Sequence, residues 1–244
     1  MPCKSKVFYI NTFIYIVDTK KGELISDRIR IPTPKPATPE AISEVIKTIC
    51  QQLQWSNIVG VSFPTIIKKG RAMHFGNLDK SWKGTQVDKL FEQHSNNPFF
   101  VVNDADAAAM GVMEFGVGKA EKGLVITITL GTGIGSGVFF NGELLSNFEL
   151  GRLYGKKGDI MELFASDAAR KRNDWDFKKW GKRLNFFLSH IEKSFNPDLI
   201  IITNKLFYDY ANRIKMLREK KDNLVVDVVL VEDIYNQFSS ANPD

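Results

Sequence analysis

The sequence is poor in cysteine and has no long apolar run. Its 244 residues include 2 cysteines, Cys3 and Cys50, which are too few for a disulfide framework and are not spaced like zinc ligands. No apolar run approaches the roughly 20 residues that span a bilayer, and the first residues lack the apolar segment and cleavage site of a secretory leader. We therefore expect a protein of the reducing cytoplasm with no membrane partner.

The charge is only mildly one-sided. The 33 Lys and Arg residues and the 28 Asp and Glu residues give a formal net charge of +5. Basic residues nevertheless cluster in predicted helices, at residues 170–172, 178–179 and 182–183. Such clusters are usually solvated helix faces, and the alternative is a surface that binds a polyanion.

The two halves of the chain repeat a similar order of strands and helices. Hydrophobic periodicity predicts strands at 7–10, 13–17, 24–31, 58–63, 99–102, 124–129, 137–140, 144–145, 199–202 and 224–231. It predicts helices from Pro39, with Thr38 as cap, and at 87–91, 104–115, 160–172, 175–195 and 205–220. This repeated pattern predicts an α/β protein in which two lobes with mixed sheets face each other across a cleft. We expect the lobes to comprise residues 1–117 and 118–244.

The most informative window is residues 130–137, Leu-Gly-Thr-Gly-Ile-Gly-Ser-Gly, which lies between two strand-like runs. Glycines let backbone amides approach an anion closely, and Thr132 and Ser136 add hydroxyl donors. Neither common phosphate signature matches, because those loops open a helix and a strand follows here. The window is therefore interpreted either as a phosphate loop or as a purely structural hairpin turn.

Asn103 and Asp104 lie where a buried strand is predicted to end and a helix to begin, with Asp106 following. Helix capping by itself explains such a pair. In the functional interpretation, Asp104 accepts the proton of a substrate hydroxyl that attacks a phosphoryl group, and Asn103 orients that hydroxyl. Glu149 could bind vicinal sugar hydroxyls, and Asn77 lies in a polar loop with Trp82, whose ring could stack on a sugar. Exposed loops are the alternative interpretation of both segments.

Taken together, these segments resemble the polyphosphate glucokinase branch of the ROK sugar kinase family. The resemblance runs from about residue 18 to residue 202 and is carried by Asn-Leu-Asp-Lys-Ser-Trp at 77–82, Asn-Asp-Ala-Asp-Ala-Ala at 103–108 and Leu-Gly-Thr-Gly-Ile-Gly-Ser at 130–136. It implies the actin-like ATPase fold with a ribonuclease H-like core, and a homodimer. It also implies that glucose or a related hexose receives a phosphoryl group from polyphosphate or ATP with the help of Mg²⁺.

The resemblance also implies roles for individual residues. Asp104 would be the catalytic base. Glucose would be held by Asn77, Asn103 and Glu149, and the transferred phosphate by Gly131, Thr132 and Gly133. Arg152 stands where the family has a sugar-contacting His and is a further candidate for substrate binding. Polyphosphate would give the basic helices near Arg170 a function.

The chain departs from the family mainly at its first strand pair. Where the family has a second glycine-rich phosphate loop and an acidic residue, this chain has residues 9–14, Tyr-Ile-Asn-Thr-Phe-Ile. Either Phe8 and Tyr9 fill the phosphate space, or a shortened hairpin turns at Asn11. Such a loss should slow phosphoryl transfer on the order of 10³-fold or more.

The departures leave a second function open. The alternative to a weakened kinase is a catalytically inactive homologue that binds sugar or polyphosphate and acts as a sensor or as the partner of an active paralogue. We do not expect nucleic acid as a partner, because the DNA-binding repressors of the family carry an added N-terminal helix-turn-helix and this chain begins with strands.

Overall fold

The computed structural model describes residues 11–14, 16–27, 29–155, 158–203 and 225–229. The chain divides into two compact units, Met1–Asp104 and Ala105–Asp244. Among the residues described, no helix is long and apolar enough to cross a membrane.

The first unit begins with short antiparallel pairs. Strand β1 (Asn11–Ile14) pairs with β4 (Ile29–Pro32), and β2 (Val17–Asp18) pairs with β3 (Glu23–Leu24). The prediction that Asn11 and Thr12 connect two strands is wrong, because both residues are paired within β1. Phe8 and Tyr9 lie outside the described ranges, so the loss of the first phosphate loop stays a prediction.

The centre of the first unit is an α/β arrangement. Helix α1 (Pro39–Gln52) starts as predicted, with the Thr38 hydroxyl accepting a hydrogen bond from the Ala41 amide at 3.2 Å. Strand β5 (Val59–Phe63) pairs in parallel with β8 (Phe99–Asn103). Between them lie the short strands β6 (Ile67–Lys68) and β7 (Arg71–Ala72), a 3₁₀ turn (Lys80–Trp82) and helix α2 (Val87–Ser95).

The second unit is built on a mixed sheet of the order β11-β10-β9-β12-β13. Strands β9 (Leu124–Leu130), β10 (Ile134–Phe140) and β11 (Glu143–Leu145) are antiparallel neighbours. Strand β12 (Leu199–Thr203) runs parallel to β9 and to β13 (Val225–Val229). The predicted turn at Asn141 and Gly142 joins β10 to β11 with positive φ angles of 54° and 89°.

Helices cover both faces of this sheet. Helix α3 (Asp104–Phe115) contributes Ala109, Val112 and Met113 to a cluster with Leu199 and Ile201. Helix α6 (Phe177–Phe195) packs Trp180, Leu184 and Leu188 with the alternate strand residues Ile200 and Ile202. Because α3 packs on this sheet, the compact units divide at its first residue, Asp104, and not at the glycine-rich segment 116–118 where we placed the lobe boundary.

The remaining helices differ from the sequence pattern in one respect. The helix predicted at 160–172 is divided into α4 (Met161–Ala165) and α5 (Asp167–Arg172). Ser166 separates them with an extended backbone and caps α5 by accepting a hydrogen bond from the Ala169 amide at 3.1 Å. The helix predicted at 205–220 lies outside the described residues.

Candidate functional site

Asn103 and Asp104 occupy the strand-to-helix junction that the sequence predicts. Asn103 is the last residue of β8, is 7% exposed, and donates a hydrogen bond from Nδ2 to the carbonyl oxygen of Thr65 at 3.1 Å. Asp104 opens α3 and is exposed. The junction therefore combines a fixed amide with an accessible carboxylate at a helix N-terminus, where the helix dipole favours negative charge.

Asn77 follows a glycine that packs on the same short segment, Pro64 and Thr65, that the Asn103 amide contacts. The preceding residue, Gly76, has φ of +55°, and a Cβ there would collide with the carbonyl oxygen of Pro64 and lie 3.8 Å from the Thr65 Cβ. The segment of Pro64 and Thr65 thus contacts both the Asn103 amide and the residue before Asn77. Asn77 itself is exposed, so the first unit presents these predicted sugar ligands around one short segment.

The loop after Asn77 is held by a local cap. Asp79 Oδ1 accepts hydrogen bonds from the Ser81 hydroxyl at 2.5 Å and the Ser81 amide at 2.9 Å. These bonds lower the pKa of Asp79, so the cap persists below the usual pH of carboxylate protonation and is lost only when the pH falls through the lowered pKa.

Trp82 is not available to stack on a sugar. It is completely buried, its Nε1 donates to the carbonyl oxygen of Ala37 at 2.8 Å, and its ring lies 4.8 Å from that of Phe63 between centroids. The prediction that Trp82 could stack on a ligand is therefore wrong. Its indole stabilises the core of the first unit instead.

The glycine-rich window forms the predicted strand-turn-strand, with residues 131–133 joining β9 to β10. The Gly131 amide donates to the Gly133 carbonyl oxygen at 3.1 Å, and the Gly131 carbonyl accepts from the Ala168 amide at 3.1 Å. The amides of Thr132 and Gly133 and the exposed Thr132 hydroxyl are therefore the donors that this tip offers to a phosphate.

The glycines of this window differ in whether packing requires them. A Cβ at Gly135 would lie 2.9 Å from the Ala105 Cβ, and one at Gly137 would collide with the Ala109 Cβ, so these glycines let α3 pack closely on β10. A Cβ at Gly131 would meet open space. The structural interpretation therefore explains the glycines within the strand, whereas nothing in the packing of the described residues requires glycine at Gly131.

Ser136 does not offer its hydroxyl to a phosphate. It is 4% exposed within β10, and its Oγ donates to the carbonyl oxygen of Phe148 and accepts from the Leu150 amide at 3.0 Å. The prediction that this hydroxyl joins the phosphate loop is wrong, because both of these bonds direct it towards the segment that carries Glu149.

Glu149 and Arg152 lie next to the glycine-rich turn within the second unit. Glu149 precedes a 3₁₀ turn (Leu150–Arg152) that ends with Arg152. The Arg152 Nε is 3.8 Å from Glu149 Oε2, and the Arg152 and Glu149 side chains are 60% and 33% exposed. A Cβ at Gly151 would collide with the carbonyl oxygen of Ile134, the first residue of β10 after the turn. This close approach brings the proposed sugar carboxylate to the strand that leaves the proposed phosphate loop.

Glu162 is a residue near the turn that the sequence did not single out. A Cβ at Gly133 would lie 2.6 Å from its Oε2, although nothing in the local pattern of α4 marks this carboxylate. The described residues contain no group of three or more His, Cys, Asp or Glu that could hold a metal ion. A single carboxylate beside the predicted phosphate loop is compatible with a Mg²⁺ ion that is held mainly by phosphate oxygens and water.

Comparisons with known proteins assign most of the chain to one family. The model of the ROK family matches residues 11–151. The polyphosphate glucokinase of Mycobacterium tuberculosis is 39% identical over 187 residues, which cover 76% of this chain and 70% of the relative. The glucokinase of Streptomyces coelicolor is 32% identical over 132 residues, covering 53% of this chain and 40% of the relative. A model of peptidase family C25 matches residues 192–244, too small a part of the chain to assign it.

Solved structures give the same result. The inorganic polyphosphate/ATP-glucomannokinase of Arthrobacter sp. strain KM is 37% identical, with a TM-score of 0.74 over 90% of this chain and 87% of that one. A ROK family glucokinase from Streptomyces griseus, solved with glucose and AMPPNP, shares the fold at 20% identity, with a TM-score of 0.67 over 90% of each chain. These likenesses confirm the predicted α/β, actin-like ATPase fold.

Proposed function

The chain belongs to the ROK family, and we propose that it is a sugar kinase that transfers a phosphoryl group from polyphosphate or ATP to glucose. The observation that carries this proposal is the junction of Asn103 and Asp104, where a buried, hydrogen-bonded amide precedes an exposed carboxylate. The identities of 39% and 36% to two polyphosphate glucokinases support glucose as the acceptor and polyphosphate as a donor. A glucomannokinase that uses polyphosphate or ATP supports the same donors.

On the acceptor side, we assign proton transfer to Asp104. Its carboxylate accepts the proton of the sugar hydroxyl as the oxygen attacks the phosphoryl group, and Asn103 orients that hydroxyl. Glu149 accepts hydrogen bonds from a pair of sugar hydroxyls, and Asn77 and Arg152 make further polar contacts with the sugar. Because phosphoryl transfer depends on positioning, the fixed amide of Asn103 would contribute to the rate alongside the base.

On the donor side, the backbone of Gly131, Thr132 and Gly133 holds the transferred phosphate. Mg²⁺, when bound, would neutralise charge on the donor phosphates, and Glu162 beside Gly133 is a carboxylate that could hold such an ion. The exposed basic residues of α5 and α6 supply a positive surface for a chain of phosphates.

The proposal includes a cellular setting and an assembly. The low cysteine content and the free, buried Cys50 support the reducing cytoplasm. The family resemblance supports a homodimer. Sedimentation of the purified protein measures that assembly directly.

A coupled assay of glucose 6-phosphate formation with Mg²⁺ and either donor tests the proposed reaction. We expect Asp104→Asn to lower kcat by about 10³-fold, because the base is removed, while glucose still raises the melting temperature. Glu114→Gln is the matched control, since it neutralises an exposed carboxylate on the same helix and should retain full activity.

Each result of the assay has a distinct meaning. Full turnover by Asp104→Asn would show that another group is the base. A wild-type protein that is stabilised by glucose but forms no product with either donor would instead be the inactive, ligand-binding homologue.

A further inference from the structure

The segment that carries Glu149 is anchored on both sides by buried polar side chains. The Asn147 amide donates to Asp106 Oδ2 at 3.0 Å. Ser136 Oγ donates to the Phe148 carbonyl and accepts from the Leu150 amide at 3.0 Å. We call Asp106 and Ser136 the Glu149 clamp.

The clamp residues are far more buried than the residue they surround. Asp106 is 1% exposed and Ser136 is 4% exposed, whereas the Glu149 side chain is 33% exposed. Each of these bonds has one buried partner, Asp106 or Ser136, which limits competition with water, and a buried carboxylate acceptor makes a strong bond to an amide. The anchors are therefore rigid, and the carboxylate that they carry remains accessible.

Ser136 acts on the two peptide groups that define the direction of the Glu149 side chain. Its hydroxyl bonds the carbonyl of the residue before Glu149 and the amide of the residue after it. Fixing both peptide planes restricts φ and ψ at Glu149 and thereby the direction of its Cα–Cβ bond. Asp106 adds a second anchor two residues earlier, from helix α3, which begins with Asp104.

We propose that Asp106 and Ser136 are positioning residues that hold the Glu149 carboxylate ready for a pair of sugar hydroxyls. This inference rests on the proposed function, in which Glu149 binds the sugar. Bidentate recognition of a rigid hexose needs a carboxylate in one orientation, and preorganisation lowers the entropic cost of binding. Loss of the clamp therefore weakens glucose binding through Glu149 and not through general unfolding.

Calorimetric titration of the full chain with glucose tests the inference by a double-mutant cycle. We expect Ser136→Ala and Glu149→Gln each to weaken glucose affinity by about tenfold, a typical effect of one lost hydrogen-bonded contact. The double variant should bind no more weakly than Glu149→Gln alone, because Ser136 acts through Glu149. Asp106→Ala should also weaken binding about tenfold, and Asp106→Asn should restore most of it, because an amide oxygen can accept from the Asn147 amide.

The matched control is Thr127→Val. The Thr127 hydroxyl is also buried, and it accepts a hydrogen bond from the Gly137 amide at 3.2 Å within the same strand pair. Its loss should lower the melting temperature without changing glucose affinity. Amide hydrogen exchange provides a readout independent of activity: Ser136→Ala should speed exchange at Leu150, and Asp106→Ala should speed it at Asn147.

The outcomes separate this inference from the proposed function. If Ser136→Ala weakens binding equally in the Glu149→Gln background, Ser136 has a general structural role and the inference is overturned. If Glu149→Gln weakens binding but the clamp variants do not, the inference fails while the proposed function stands. If Glu149→Gln binds glucose normally, Glu149 is not a sugar ligand, and the inference fails together with that part of the proposed function.

Discussion

At the residue scale, Gly151 packs so closely on strand β10 that the second unit has no room for a side chain at this position. The residue is buried, and a Cβ there would collide with the Ile134 carbonyl and lie 2.9 Å from the Ile134 Cβ. The backbone carbonyl cannot move without disturbing the pairing of β10 with β9. The position of Glu149, two residues earlier, therefore depends on the small size of Gly151.

We expect Gly151→Ala to lower stability by about 1–3 kcal/mol, the usual cost of overpacking, and to weaken glucose binding. Chemical denaturation and glucose titration measure the two effects. Gly60→Ala is the matched control, because Gly60 lies in a strand with nothing within 4 Å of a Cβ and no positive φ. Equal stability of the two variants would contradict the close approach of Gly151 to Ile134.

At the scale of elements, two arginines in the helices of the second unit make packing contacts within that unit. Arg170 is 2.8 Å from the Asp167 carboxylate and lies 4.9 Å from the Phe177 ring. The Arg183 guanidinium lies 3.8 Å from the Trp175 ring and 4.4 Å from the Phe164 ring. These arginines connect α4, α5 and α6, so a polyphosphate surface would depend on the exposed cations between them, which include Arg172, Lys178 and Lys182.

Arg183→Lys should destabilise the second unit by about 1 kcal/mol, because an ammonium cannot stack as a planar guanidinium does between two rings. Urea denaturation measures the change. Lys182→Arg is the control: it preserves the charge at the neighbouring exposed position and should leave stability within about 0.5 kcal/mol of the parent. Unchanged stability of the Arg183→Lys variant would mean that the contacts of Arg183 with the aromatic rings contribute little to the free energy of unfolding.

Local sequence patterns predicted most elements but not their interruptions. The capped start of α1 and the extent of α3 follow from a Thr-Pro signal and from an alanine-rich periodic run. The division between α4 and α5 did not follow from periodicity, because the apolar pattern continues across Ser166. The Ser166 side chain instead caps the start of α5, and this interrupts the helix that would otherwise continue from α4.

At the scale of the whole molecule, the residues assigned to the proposed reaction are distributed over both compact units. Asn77, Asn103 and Asp104 belong to the first unit, and the turn 131–133 and Glu149 belong to the second. The predicted sugar ligands are described residues, whereas the segment 9–14, where we predict the loss of the first phosphate loop, is described only from Asn11 to Ile14. Binding of the sugar acceptor and binding of the phosphoryl donor can therefore be measured separately.

Separate titrations with glucose and polyphosphate measure these properties. We expect glucose to bind and, at 100 times its Kd, to stabilise the protein by about 2.7 kcal/mol. Polyphosphate should bind weakly, with an affinity that falls as salt increases, if the donor side lacks the first phosphate loop as predicted. L-Glucose is the control for stereospecific recognition. Tight, salt-resistant polyphosphate binding would contradict the predicted loss of the donor loop.

The sequence by itself determined the features that depend on neighbouring residues. The glycine-rich turn between β9 and β10 and the Asn103–Asp104 junction follow from short-range patterns, and the ordered motifs carried the family resemblance. The tertiary structure alone decided which polar and aromatic groups are accessible. Trp82 is in a core, Ser136 bonds the Glu149 segment, and Glu162 lies beside Gly133. Burial and hydrogen-bond partners depend on residues far away in the chain, so no local pattern encodes them.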